Sequence, residues 1–148
     1  ALFLIKKFGG VRMKIELKNK ELSTAINFLK GMTLQAKDSR CRSKLVKLLT
    51  TAFNELTEEE KKLMEENGLL NEEGKLKSES ELPKESIRDF NKEQDALMDE
   101  VVVIEGGMYA KNIDEMPRIL ENYTGELSGV DAEIYDRLLD EMEKESAE

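Results

Sequence analysis

At 148 residues, 39% of them apolar and 37% charged, the chain has the size of one domain with room for a real core. Its 23 basic and 32 acidic residues leave a formal charge of -9, which argues against free nucleic acid or an anionic membrane as main partner and favours a basic protein surface. The longest clean apolar run, Ala1 to Ile5, is far too short to cross a bilayer, as is Val101 to Ile104, and the single cysteine, Cys41, cannot close an internal disulfide, which fits a reducing cytoplasm.

Residues 1–12, ALFLIKKFGGVR, are basic and apolar where the remainder is acidic and amphipathic. Gly9-Gly10, two further codons and then Met13 have the spacing of a ribosome-binding sequence ahead of a start codon. Met13 therefore reads as the natural start and 1–12 as a leader or added segment, against the alternative of a genuine amphipathic arm. A signal peptide fits less well, because the apolar stretch is short and no small-residue cleavage site follows. Residues 13–148 then form a single helical domain.

Met13 to Leu17 alternates apolar and polar side chains and predicts a short strand. Asn19 is placed to cap a helix from about Lys20 to Leu34, with Leu22, Ala25, Ile26, Leu29 and Met32 on one face and Gly31 weakening its last turn. The connector Gln35 to Asp38 is short, so this helix and the next are expected to form an antiparallel hairpin. The next is the long one, Ser39 to Asn67. Its stripe of Leu45, Leu48, Leu49, Ala52, Phe53, Leu56, Leu63 and Met64 is the surface on which the rest of the chain is expected to pack. Its charges run against the helix dipole. Lys37, Arg40, Arg42, Lys44 and Lys47 stand at its start and Glu55, Glu58, Glu59, Glu60, Glu65 and Glu66 toward its end, each placement costing roughly a few tenths of a kcal/mol. Either the cations pair with groups elsewhere in the fold or they serve a ligand. Thr57 and Glu60 resemble a capping box, which predicts a break near Leu56.

Residues 67–84, rich in Gly, Ser, Glu and Lys, read as a flexible acidic connector with a hairpin-like turn around Glu73 and Gly74. A helix from Ser86 or Lys84 to Asp99 carries an imperfect apolar stripe of Ile87, Phe90, Ala96, Leu97 and Val101. Val101 to Ile104 then reads as a buried strand, ended by Gly106-Gly107 and paired with the first strand, since neither is stable alone. Asp114 is placed to cap a short helix to about Tyr123, with Pro117 in its first turn and Met116, Ile119 and Leu120 inward. Ser128 with Asp131 starts the last helix, which runs to about Lys144. Val130, Ile134, Tyr135, Leu138 and Met142 form its inner face, and Asp136, Asp140, Glu141 and Glu143 belong to a strongly acidic outer one. The fold class is thus α+β, predominantly α-helical: a long antiparallel helical hairpin, a small two-stranded sheet and two shorter C-terminal helices.

The opening MKIELKN, the SRCRSKLVKLL segment, the FNKE at 90–93, the VVVIEGG at 101–107 and the ELSGVDAEIYDRLLDEME close together resemble an uncharacterised family of small proteins from phages and prophages of Gram-positive bacteria. The resemblance covers essentially all of residues 13–148 and implies a product acting in the bacterial cytoplasm or during virion assembly. It carries no activity with it.

The chain has no histidine, which removes the serine and cysteine triads, most zinc sites and the Glu-x-x-His di-iron bundle. Cys41 lies between Arg40 and Arg42, which favours a thiolate, but it also precedes Leu45 by one turn on the apolar stripe and reads as a packed core thiol. Glu55 with Glu58 and Glu133 with Asp136 have the Glu-x-x-Glu/Asp spacing by which small helical phage enzymes hold magnesium to hydrolyse nucleoside triphosphates. Such pairs arise readily by chance in an acidic chain. The leading expectation is a non-enzymatic protein–protein interaction module without cofactor or metal. As a virion assembly protein or adaptor, it holds another phage protein in an apolar groove or through Lys37, Arg40, Arg42, Lys44 and Lys47. The alternative is an acidic inhibitor of a host nucleic-acid-binding enzyme or defence system, acting through Asp136, Asp140, Glu141 and Glu143. The second alternative is the magnesium-dependent pyrophosphohydrolase.

Overall fold

Ile15 and Leu17 alternate with Lys14, Glu16 and Lys18 in strand β1 (Lys14–Lys18), burying one face and exposing the other. The computed structural model describes residues 13–146, so the reading of 1–12 as a leader lies outside the described residues. β1 pairs antiparallel with β2 (Val101–Glu105), setting Ile15 opposite Ile104, Leu17 opposite Val102 and Glu16 opposite Val103. The two-stranded sheet is as expected, but the valine run is not buried on both faces. Val101 is 57% and Val103 48% exposed, because helices cover only the side carrying Ile15, Leu17 and Ile104. Gly106 closes β2: a Cβ there would fall 2.5 Å from the Cα of Ala110, so only glycine permits this turn.

Asn19 does not act as the helix cap. It opens a 3-10 turn (Asn19–Glu21), and its side-chain nitrogen donates to Leu97 O at 2.8 Å. Helix α1 (Leu22–Gly31) follows, burying Leu22, Ala25, Ile26, Phe28 and Leu29, and stops at Gly31. After a short link, α2 (Ala36–Glu66) runs unbroken, with Cys41, Leu45, Leu49, Ala52 and Leu56 buried. The expected break near Leu56 is absent because the Thr57 hydroxyl donates to Phe53 O one turn back, at 3.1 Å, inside the helix rather than starting a new one. Phe53 sits on the shoulder of the stripe and is 36% exposed.

α1 is far shorter than α2, so the second half of α2 takes a different partner. The chain turns at 67–84, where Leu69 is buried and Leu70 bridges Leu76. The turn between them has Gly74 at φ +78°, while the Asn71 side-chain oxygen accepts from the N–H groups of Glu73 and Lys75. Helix α3 (Lys84–Asp99) then returns antiparallel along α2, with Gln94 donating to Glu60 at 2.8 Å. Helix α4 (Ala110–Asp114) stands where none was expected, and α5 (Met116–Glu121) is the short helix expected before Tyr123. Asp114 ends the first of them instead of capping the second, and Pro117 stands in the first turn of α5, where its missing N–H is tolerated. Helix α6 (Gly129–Ser146) closes the core with Ile134, Leu138 and Met142, and the Tyr135 hydroxyl donates to Leu120 O at 2.5 Å. Val130, expected inward, lies in the first turn at the rim and is 61% exposed. No helix among the described residues is long and apolar enough to cross a membrane.

Candidate functional site

The five cations grouped at the start of the long helix do three different things. The Arg42 guanidinium donates to Leu29 O at 2.6 Å, Met32 O at 2.8 Å and the Ser39 hydroxyl at 3.0 Å. Those carbonyls lie at the C-terminal end of α1, where Leu29 O also accepts the Met32 N–H at 3.3 Å. In a tight hairpin the start of α2 lies beside the negative end of α1, so a cation misplaced on its own helix is well placed for its neighbour. Arg42 is therefore occupied in the fold and unavailable to a partner, contrary to its place in the basic site read from sequence. Lys44 and Lys47 stand 4.9 and 5.9 Å from the Tyr109 ring centroid, close enough for cation–π attraction. Lys37 and Arg40 are exposed.

The acidic outer face of α6 also divides. Asp136, Asp140 and Glu143 are exposed and, with Glu133, line up along one side of the helix. Glu141 is not on that face; it is buried, with only 4% of its side chain accessible. One of its oxygens accepts from Arg137 at 2.7 Å and Lys144 at 2.8 Å, and the other accepts the Glu16 backbone N–H at 3.0 Å. Arg137 in turn donates to Glu16 O at 2.9 Å and to Glu21 at 3.1 Å, and Glu21 accepts the Lys18 N–H at 2.8 Å. Burial alone pushes the Glu141 carboxyl up, but the bonds from Lys144, Arg137 and Glu16 outweigh it and hold the group below the usual carboxylate range. Arg137 is likewise disfavoured by burial and raised by Glu141 and Glu21. This cluster is a clasp between α6 and β1.

Cys41 is buried and its Sγ lies 3.9 Å from the Asn112 side-chain nitrogen, the environment of a packed thiol. Glu55 and Glu58, and Glu133 and Asp136, are exposed pairs on single helical turns. Among the described residues no three His, Cys, Asp or Glu side chains gather as a metal cage.

The valley between α2 and α3 holds a cleft with an apolar lining. Leu63, Ala96 and Leu97 line a cleft of about 350 Å³, and Glu59, Glu66, Glu93 and Glu100 stand around it with Lys62. A second cleft of about 260 Å³ continues from it through Glu59 and Glu100 to β2, passing Ala52, Glu55, Leu56, Val101 and Val103. The family model described as Protein of unknown function (DUF1617) matches residues 13–148, which hold every element described above. The chain belongs to the DUF1617 family. No curated protein and no solved structure matches it.

In this DUF1617 chain the valley carries side chains that belong to separate apolar stripes in the sequence. Leu63 stood on the α2 stripe and Ala96 and Leu97 on that of α3, with nothing to say that the stripes meet. The usable signal was length. A 31-residue helix cannot be covered by a 10-residue one, and α3 is the next apolar stripe long enough to cover the rest.

Proposed function

We propose that this chain is a non-enzymatic protein–protein interaction module of a phage or prophage, an adaptor or assembly protein that holds a basic segment of another phage protein in the α2–α3 valley. The observation that carries this reading is the composition of the valley: an apolar floor of Leu63, Ala96 and Leu97 under four glutamates and one lysine. An apolar floor supplies burial energy, and a rim of one sign selects an oppositely charged partner and steers its approach. The phage setting is supported by the segments that resemble phage and prophage proteins, and a bacterial cytoplasm or an assembling virion is the location that goes with it.

A second reading is favoured by the carboxylate row of Glu133, Asp136, Asp140 and Glu143 on α6, which suits an inhibitor occupying a host enzyme's phosphate-binding groove. Capture of partners from phage-infected cells by the tagged chain separates the two. The adaptor reading expects phage structural proteins, retained by Asp136→Asn/Asp140→Asn and lost with Glu59→Gln/Glu66→Gln/Glu93→Gln. The inhibitor reading expects a host nucleic-acid enzyme and the reverse dependence. Partners indifferent to both sets overturn both readings. Magnesium-dependent triphosphate hydrolysis that Glu55→Gln abolishes would replace them with the pyrophosphohydrolase.

A further inference from the structure

The two edges of the sheet are treated differently. In an antiparallel pair, alternate residues turn their N–H and C=O groups toward the partner strand and the others turn them outward. Glu16 gives its N–H to Glu141 and its C=O to Arg137, and Lys18 gives its N–H to Glu21, so these residues face away from β2. The N–H of Asn19 reaches Glu100 O at 2.9 Å, which puts the odd-numbered positions of this strand on the paired side. By the register, Val101, Val103 and Glu105 are the residues of β2 that turn outward, at the edge opposite the clasp. Among the described residues no hydrogen bond reaches those outward groups. Their side chains stand on the uncovered face, and the edge opens onto the cleft lined by Ala52, Glu55, Leu56 and Glu59 of α2.

We propose that the outer edge of β2 takes an extended segment of the partner protein as a third, antiparallel strand, one that alternates apolar residues with Lys or Arg. This rests on the reading of the chain as a protein-binding module and adds the mode of binding. The N–H and C=O groups of Val101, Val103 and Glu105 supply the ladder. Residues of the added strand opposite Val101 and Val103 lie on the uncovered face and pair with those valines, which favours β-branched side chains. The alternating residues point the other way, over α2, where Glu55 and Glu59 stand beside Ala52 and Leu56. A long cation lays its methylenes on the apolar pair and its charge beside the carboxylates. Glu100 and Glu105 flank the edge with the same sign, so the charge around it selects a basic strand over an acidic one.

The test uses a short synthetic peptide alternating valine and lysine, its valine–glutamate counterpart, and two N-methylated forms of the first. Antiparallel addition places each valine opposite Val101 or Val103 in a hydrogen-bonded pair, so methylation of the valine nitrogens removes the ladder and methylation of the lysine nitrogens leaves it. The expected result has three parts. The valine–lysine peptide binds the unaltered chain and slows amide exchange at Val103 and Glu105. Methylation at valine weakens it by about tenfold or more, while methylation at lysine does not. The valine–glutamate peptide binds at least about tenfold more weakly. Val103→Pro, which removes one outward N–H and leaves the ladder to β1, gives the same loss as methylation at valine. Binding without exchange protection and indifferent to methylation overturns strand addition and leaves the valley reading standing. Absence of peptide binding while valley-dependent partners are still captured also overturns it. A dimer that forms without peptide and is dispersed by Val103→Pro assigns the edge to a second copy and overturns it as well.

Discussion

The open edge of β2 and the closed edge of β1 are made from the same kind of backbone and differ only in what lies beside them. Along β1 the pair Arg137 and Glu141, one turn apart on α6, answers both outward groups of Glu16, and Glu21 answers Lys18. Side chains there take the place of a neighbouring strand. Along β2 the neighbours are Glu55 and Glu59 of α2, and among the described residues neither accepts from an outward N–H of the strand. An unpaired edge invites pairing with another chain, and proteins ordinarily blunt it. That one edge is clasped while the other has no hydrogen-bond partner among the described residues separates the carboxylates of this acidic chain into internal and outward ones.

Breaking the clasp is expected to have the largest effect. Glu141→Ala leaves Arg137 without its main partner and the Glu16 N–H without an acceptor, and should cost about 2–3 kcal/mol in unfolding free energy. Urea denaturation followed by far-ultraviolet circular dichroism measures it, and a change below about 0.5 kcal/mol would make the clasp decorative. The same group sets an acid limit. Its folded pKa lies below the ordinary value near 4.5, so its contribution is complete above that value and is lost as the pH falls through the folded pKa. Melting temperatures recorded on descending pH should drop below about pH 4.5 in the parent chain, and Glu141→Gln should remove that part of the slope while Asp140→Asn leaves it.

The next effect tests the same lesson on the basic side. Arg42→Ala removes the guanidinium bonds to Leu29 O and Met32 O, at an expected cost of about 1–2 kcal/mol, whereas Arg40→Ala, from an exposed site, should stay within about 0.5 kcal/mol. Arg42→Lys restores the charge but not the fork that reaches two carbonyls and a hydroxyl, so it should recover only part of the loss. Equal effects at positions 40 and 42 would mean that the cations act only as a cluster.

These pairs of neighbours also mark what was legible in the sequence. Periodicity together with capping and turn residues places β1, α1, α2, α3 and α6 to within a few residues, apart from the break expected within α2, because each has one apolar stripe and one wet face. It could not divide the charges. Whether Arg42 or Arg40 is internal depends on where α1 ends, which is a property of the hairpin and not of either helix. Glu141 did leave a trace, since it follows Ile134 by seven and Leu138 by three and so falls on the core side of α6, but its charge hid it among exposed neighbours. The valine run misled for the opposite reason. A strand covered on one face and a strand covered on both can carry the same apolar letters, and only the helices packed around it decide which it is.

The smallest stability effect is expected at the open edge, and its smallness is the point. Val101→Thr and Val103→Thr keep a β-branched side chain on a face already about half exposed, so each should change the unfolding free energy by less than about 0.5 kcal/mol. Thermal or urea unfolding of the two variants against the parent chain checks this directly. A loss approaching that of Glu141→Ala would mean that the valines are packed against something in the free protein, and the edge would then be closed rather than waiting. A negligible loss, set beside the large one at Glu141, leaves the sheet as a scaffold anchored along β1, with β2 free to exchange partners without loosening the fold.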